Sequence, residues 1–185
     1  QDAQINPYML KKARVADKEI KQQLASMLRL LIKEKRLGQL NLSLRNIAQF
    51  AYDANLPTVE LTEKVYRFLG AELPPIKTLR GSTGRGFVKM PSSMTPELAE
   101  FIGLFIAEGN IRCYRRNASV VFTNANTKLL NRFIDLTKII FGVDTKITKN
   151  KDRSPCVVIN RKTLVDLLNE IEAKGKASNK KVPPL

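Results

Sequence analysis

The chain contains no histidine. Histidine-based acid–base catalysis and ordinary zinc sites are therefore excluded, and carboxylate, lysine and main-chain oxygen remain as the tools for metal-ion chemistry. Cysteine is nearly absent: Cys113 and Cys156 are the only two. They lack metal-ligand spacing, and both are expected as buried thiols in a reducing compartment. Acids are scarce beside bases, 17 against 32, leaving a formal net charge of +15. That excess disfavours self-association and favours a polyanionic partner, nucleic acid first and an anionic membrane surface second. No uninterrupted apolar run reaches about 18 residues, so no segment is expected to span a bilayer. The start Gln1-Asp2-Ala3-Gln4 lacks the basic and apolar regions of a secretory signal. The expectation is a cytoplasmic, nucleoid-associated protein with no membrane partner and no small-molecule substrate.

What is present is enough for a core. The 185 residues, 43% of them hydrophobic, make one ordinary domain or two small ones. The first third reads helical. Ile20, Leu24, Met27, Leu28 and Leu31 recur at helical spacing, with Lys18, Lys21, Arg29 and Lys33 mostly on the other side. Gly38 is expected to end that helix. Ser43 is a candidate cap for a second helix through Tyr52, Asn55-Leu56-Pro57 marks a turn, and Thr58 caps a third helix to Leu69 that Gly70 closes. Residues 71–93 hold Pro74, Pro75, Gly81, Gly84, Gly86 and Pro91 among basic residues, which predicts a flexible linker. The resulting division is a helical unit at 1–70, a linker at 71–93 and a second unit at 94–185.

The second unit opens on Thr95-Pro96-Glu97: an N-cap, a proline in the first helical position and an acid in the first turn. Residues 98–110 then read Leu-Ala-Glu-Phe-Ile-Gly-Leu-Phe-Ile-Ala-Glu-Gly-Asn. A helix so nearly apolar all round must be covered on most sides. Glu108 at its tip is the arrangement expected of a metal-binding acid at a helix–helix seam. Strands are expected at about 111–115 and 119–123, a helix at 127–141, strands at about 144–149 and 156–160, and a helix at about 163–173. This order predicts an α+β fold, one antiparallel sheet with helices on one face, leaving the other face free to be polar and basic.

Phe101-Ile102-Gly103-Leu104-Phe105-Ile106-Ala107-Glu108-Gly109 resembles the nine-residue signature of the LAGLIDADG homing endonucleases. The flanks Val88-Lys89-Met90-Pro91 and Met94 to Glu100, the stretch 118–141 and the tail Asn179-Lys180-Lys181-Val182-Pro183 are similar to endonuclease domains found inside archaeal inteins. The resemblance covers roughly residues 87–185. It implies the αββαββα unit and two motif helices packed side by side, with Gly103 and Ala107 as the small residues of the dimer seam. It also implies Glu108 and the main-chain carbonyl of Ala107 as ligands of a divalent metal, usually Mg2+. A supporting lysine would be Lys180 or Lys181, with Lys176 next. Asn126 resembles a polar residue that orients the attacking water, although a simple helix cap is the plainer reading.

Strand alternation puts Arg112, Tyr114, Ser119, Thr123, Lys146 and Thr148 on one face. A ribbon of this width fits the major groove, where Arg112 could bond guanine and Thr123 meet a thymine methyl. Lys149, Lys151 and Arg153 lie near a hairpin tip and suit phosphate, and Arg116 in the first hairpin turn joins the candidate DNA contacts. In the first half, residues 44–69 resemble a helix–turn–helix. Ala51 would sit at the helix crossing and Asn55 in a left-handed turn, with Thr58, Glu60, Thr62, Lys64 and Arg67 along the recognition helix.

Gln1, the lack of histidine and Leu185 argue against protein splicing by this sequence. It holds one copy of the motif, so the expectation is a homodimer or a piece of a larger two-motif protein. The functional expectation is a site-specific, metal-dependent double-strand DNA endonuclease. The alternatives are a non-cleaving DNA-binding regulator of the same fold and an RNA-binding maturase.

Overall fold

A computed structural model describes residues 5–42, 44–52, 55–81, 86–114, 117–150, 153–171 and 173. The Ser43 cap, Lys151, Arg116 and the whole lysine-bearing tail, Lys176, Lys180 and Lys181 included, lie outside them. Strand β1 (Arg14–Val15) precedes three helices, α1 (Lys18–Lys33), α2 (Leu44–Ala51) and α3 (Val59–Phe68). Strands β2 (Thr78–Arg80) and β3 (Phe87–Lys89) follow. The remainder is α4 (Pro96–Glu108), β4 (Gly109–Tyr114), β5 (Asn117–Thr123), α5 (Thr127–Phe141), β6 (Ile147–Asn150), β7 (Arg153–Ile159) and α6 (Lys162–Glu170). From α4 onward the order is αββαββα, as expected. No helix among the described residues is long and apolar enough to cross a membrane.

Strands β4 to β7 form one antiparallel sheet in the order β4-β5-β7-β6. Val120 and Phe122 of β5 and Val157 and Ile159 of β7 point to one face and are fully buried. The apolar sides of α4, α5 and α6 cover them. The centre is aromatic. Phe101 of α4 stacks on Phe133 of α5 with ring centroids 4.8 Å apart, Phe133 stacks on Phe122 at 4.3 Å, and Phe141 meets Phe101 edge-on at 5.0 Å. Such pairs each contribute roughly 0.5–1.5 kcal/mol beyond the area they bury. Gly142, with φ +64°, closes α5 in the left-handed conformation that glycine adopts without strain.

The segment 71–93 departs from expectation. Instead of a flexible linker it supplies two strands of a second antiparallel sheet, β1-β2-β3. Ile76, Leu79, Val88 and Met90 are buried in the same core as α4 and β5, together with Tyr8, Leu10 and Val15 from the start of the chain. Asp17 fastens this sheet to α1: its carboxylate accepts the amides of Lys77 at 3.0 Å and Thr78 at 3.1 Å. The proline and glycine content concealed an alternation, Phe87-Val88-Lys89-Met90, in which every second residue is buried.

A separate apolar cluster joins α1, α2 and α3, with Leu24, Leu28, Ile47, Ala51 and Val65 at its centre. Ala51 is fully buried, as a residue at a helix crossing must be. Two expected turn positions are corrected. α1 ends at Lys33 rather than at Gly38, because Lys35 takes the left-handed conformation (φ 56°) and turns the chain there. Asn55 is not left-handed. It is held instead by Gln49, whose side chain accepts from its amide group at 2.9 Å and whose carbonyl accepts its backbone N–H at 3.2 Å.

Candidate nucleic-acid interface

The outward face of the four-stranded sheet follows from register. Arg112 pairs with Ser119 and Tyr114 with Asn117, while Thr123 and Thr148 both pair with Cys156. Directly paired residues share a face. Arg112, Tyr114, Ser119, Thr123 and Thr148 are thus brought together on the side away from the helices. Tyr114 is 68% exposed. Lys146 is exposed one position before β6 starts, and Lys149 is exposed where the β6–β7 register shifts between Thr148 and Asn150. Sequence reasoning missed two residues of this face. Asn110 and Asn117 are exposed strand residues rather than a helix breaker and a turn. Carrying the alternation two residues back from Arg112 and from Ser119 would have found them. No strand of this sheet contains an acidic residue. The face is not uniformly polar, since Val121 and Cys156 are buried at its middle.

Cys113 corrects the expectation of two buried thiols: Cys156 is buried, Cys113 exposed. Cys113 points to the helix side, but burial fades along β4 from half-buried Ile111 to exposed residues 112–114. The β4–β5 hairpin therefore reaches past the helices that would cover it.

Helix α4 delivers its tip directly to this sheet. Thr95 caps it, accepting the Leu98 amide at 3.2 Å, with Pro96 in the first turn. Glu97 lies beside that cap, where its own amide and the Thr95 hydroxyl hold its carboxyl below the usual carboxylate range. Arg132 of α5 clamps Glu100 with two hydrogen bonds, 2.8 and 2.5 Å, which lowers the Glu100 carboxyl and keeps α4 and α5 together. Leu98, Phe101, Ile102 and Phe105 face the core. The opposite side is bare: Ala99, Gly103 and Ala107 are exposed, and a Cβ placed on Gly103 would meet nothing within 4 Å. Glu108 is exposed at the last helical position, one turn beyond Phe105. The next residue, Gly109, is buried against Phe105, whose ring and carbonyl occupy the space a side chain would need. Glycine is thus what lets the helix pass into the strand without displacing Phe105.

The family model of the LAGLIDADG-like domain matches residues 95–172. These residues are a LAGLIDADG-like domain. In LAGLIDADG terms, Glu108 and Ala107 sit at the exposed motif-helix tip, and Gly103 lies on its open side. The family is one of DNA-binding endonucleases that generally use divalent metals. The chain is also similar to segments of much longer proteins. It is 34% identical over 101 residues to a replication factor C small subunit of Methanocaldococcus jannaschii, a match spanning 54% of this chain and 5% of that protein. It is 33% identical over 85 residues to the replication factor C small subunit of Thermococcus kodakarensis, covering 45% of this chain and 10% of that protein. A third match, 29% identical over 98 residues, is to an isomerizing glutamine–fructose-6-phosphate aminotransferase of Methanocaldococcus jannaschii, covering 52% and 9%. The chain thus spans a tenth or less of the relatives it matches.

Other expected site residues have structural occupations. The Asn126 side chain caps α5, accepting the Lys128 amide at 2.9 Å. Thr58 caps α3 through the Leu61 amide at 3.1 Å. Thr62 is corrected: it is fully buried, its hydroxyl donating to the Thr58 carbonyl at 3.0 Å, so it cannot reach a groove. Arg67 is paired with Glu63 at 3.0 Å. Lys64 is exposed.

Proposed function

We propose that this chain is a site-specific, divalent-metal-dependent endonuclease that cuts both strands of duplex DNA. It would work as a homodimer through α4 or as part of a larger two-motif protein. The observation that carries this reading is the bare side of α4. A helix with a filled aromatic side, an exposed Ala99-Gly103-Ala107 side and a carboxylate at its last position is suited to close approach of a second such helix. Pairing would set two Glu108 carboxylates side by side.

Magnesium suits the donor set. Among the described residues no group of three or more His, Cys, Asp or Glu side chains could hold a metal ion. Magnesium commonly takes one or two carboxylates, with water and phosphate oxygens completing its shell. Glu108 and the Ala107 carbonyl would hold it, the partner helix supplying the second carboxylate. When bound, such an ion activates water and stabilises the leaving oxygen. The protein's own residues do the positioning. Arg112 and the asparagines Asn110 and Asn117 have the donors and acceptors to read guanine and adenine edges, while Lys146 and Lys149 suit phosphate. Lys180 or Lys181 is proposed as the supporting lysine. Asn126 would act beside the site only by giving up its cap. Lys64, and Arg67 if released from Glu63, would extend contact through the helical unit.

The matches to proteins of unrelated name, each over a small share of their length, support an inserted, intein-like module. The test is incubation with magnesium and a randomised duplex library, beside Glu108→Gln. Site-specific cutting by the wild type, abolished in a variant that still binds, is the expected result. Binding without cutting by the wild type would make the chain a regulator, and preference for structured RNA over duplex would make it a maturase.

A further inference from the structure

The three-stranded sheet has an outward face that the proposed endonuclease does not use. Its register sets Arg14 opposite Arg80 and Arg80 opposite Phe87, three side chains abreast, with Thr78 opposite Lys89 in the same face. The alternate row, Val15, Leu79 and Val88, is fully buried in the core, which turns the arginine–arginine–phenylalanine row outward. None of the five positions on this face is acidic.

This row is poorly chosen for stability. Like charges at directly opposed strand positions repel, and Phe87 leaves 55% of its surface in water. Arg14 is also held in place, its guanidinium donating to the Leu56 carbonyl at 3.3 Å. A held guanidinium with a second arginine abreast of it, both half-buried, beside a bare ring suits a ligand with spaced negative charges and a flat apolar face. A nucleic-acid strand has both.

We propose that this face binds an unpaired stretch of DNA, with one base against Phe87 and the flanking phosphates on Arg14 and Arg80. The ring decides for an unpaired strand. In a duplex the base faces are stacked on one another and only their edges are open, and wedging a step apart costs a few kcal/mol, so an exposed phenyl gains most from a base already out of the stack. The proposal rests on the chain being a DNA-binding protein but not on the chemistry at Glu108.

The experiment is fluorescence anisotropy of the full chain with a labelled oligothymidine of about 12 nucleotides, a length within the usual site sizes, and with a blunt duplex. Oligothymidine is expected to bind in a salt-dependent way. Phe87→Ala should weaken it roughly tenfold, Phe87→Trp should retain it, and Arg80→Gln should make the salt slope shallower by about 0.7. Duplex binding should be unchanged by Phe87→Ala. Circular dichroism melts establish that each variant is folded, and Arg14→Gln stands in if Arg80→Gln is not. Oligothymidine binding that ignores folded Phe87→Ala, or that Arg112→Ala removes while Phe87→Ala does not, overturns the proposal and leaves the endonuclease reading intact. Failure of the wild type to bind or cut any duplex removes the endonuclease reading, while a Phe87-dependent oligothymidine signal would still support this second site.

Discussion

Both α3 and α4 begin on a threonine whose hydroxyl accepts the amide three residues on, Thr58 from Leu61 at 3.1 Å and Thr95 from Leu98 at 3.2 Å. Both bury one apolar side. They differ in what faces out. α3 presents Glu60, Lys64 and Arg67, with Glu63 pairing Arg67 and Lys11. α4 presents Ala99, Gly103 and Ala107, with Glu108 at the tip. An outward side of charges, Arg67 among them paired within the chain, is well solvated in water. One made of glycine and alanine has neither charge to solvate nor bulk to pack, and it makes sense only against another surface. That contrast supports the proposal that α4 carries the chemistry and most of α3 is scaffold.

The sharpest test is at the tip. Glu108→Gln should lower cutting by about a thousandfold or more, the equivalent of several kcal/mol of transition-state stabilisation, while anisotropy with duplex shows binding retained. Undiminished cutting would leave α4 no more functional than α3. The inner side of α4 should respond in stability instead. Phe101→Ala removes a fully buried ring that touches Phe133 and Phe141 and should cost about 3–5 kcal/mol, read from a denaturant midpoint.

Gly103 separates the two roles within one residue. Since nothing lies within 4 Å of an added Cβ, Gly103→Leu should raise the stability of the single chain by up to about 1 kcal/mol through helix propensity. The same bulk would hold two α4 helices apart, so cutting and the light-scattering mass on duplex should both fall. If the variant is less stable, or pairs as well as the wild type, the bare side is not a seam. On α3, Lys64→Ala should weaken duplex binding no more than about threefold, as loss of one exposed phosphate contact.

The second half of the fold was legible because its signals are local and agree. Thr95-Pro96-Glu97 starts α4, Gly142 ends α5, and an alternation of two assigns Arg112 and Ser119 to one face from sequence alone. The helix bounds of α5 follow directly. The first half was less legible because its determinants are distant. Thr62 shares its side of α3 with Val59, Val65 and Tyr66, a spacing that its polar side chain disguised. The left-handed turn fell on Lys35, a residue with no preference for it, rather than on Gly38. The segment 71–93 reads as linker because three-residue strands are too short for periodicity to outweigh proline and glycine. Leu79 is buried between Val15 of β1 and Val88 of β3, partners that lie far from it in sequence or across a loop.

The smallest effect belongs to Glu63, the residue that completes α3. Hydrogen bonding to Lys11, then to Arg67, holds its carboxyl below the ordinary carboxylate value despite the opposing effect of burial. A carboxyl lowered in the folded state binds its proton more readily when unfolded. Its contribution is therefore present above the unfolded value of about 4.3 and is lost as pH falls through the lower folded value. Lys11 and Arg67 are 47% and 67% exposed, so solvent limits the pair of bridges to about 1 kcal/mol or less. Glu63→Gln should lower the denaturant midpoint slightly at pH 7 and make no difference once the wild-type Glu63 carboxyl is protonated in strong acid. A gap between variant and wild type that persists unchanged into strong acid would mean that Glu63 acts through packing, and that the outward side of α3 is held by shape rather than by charge.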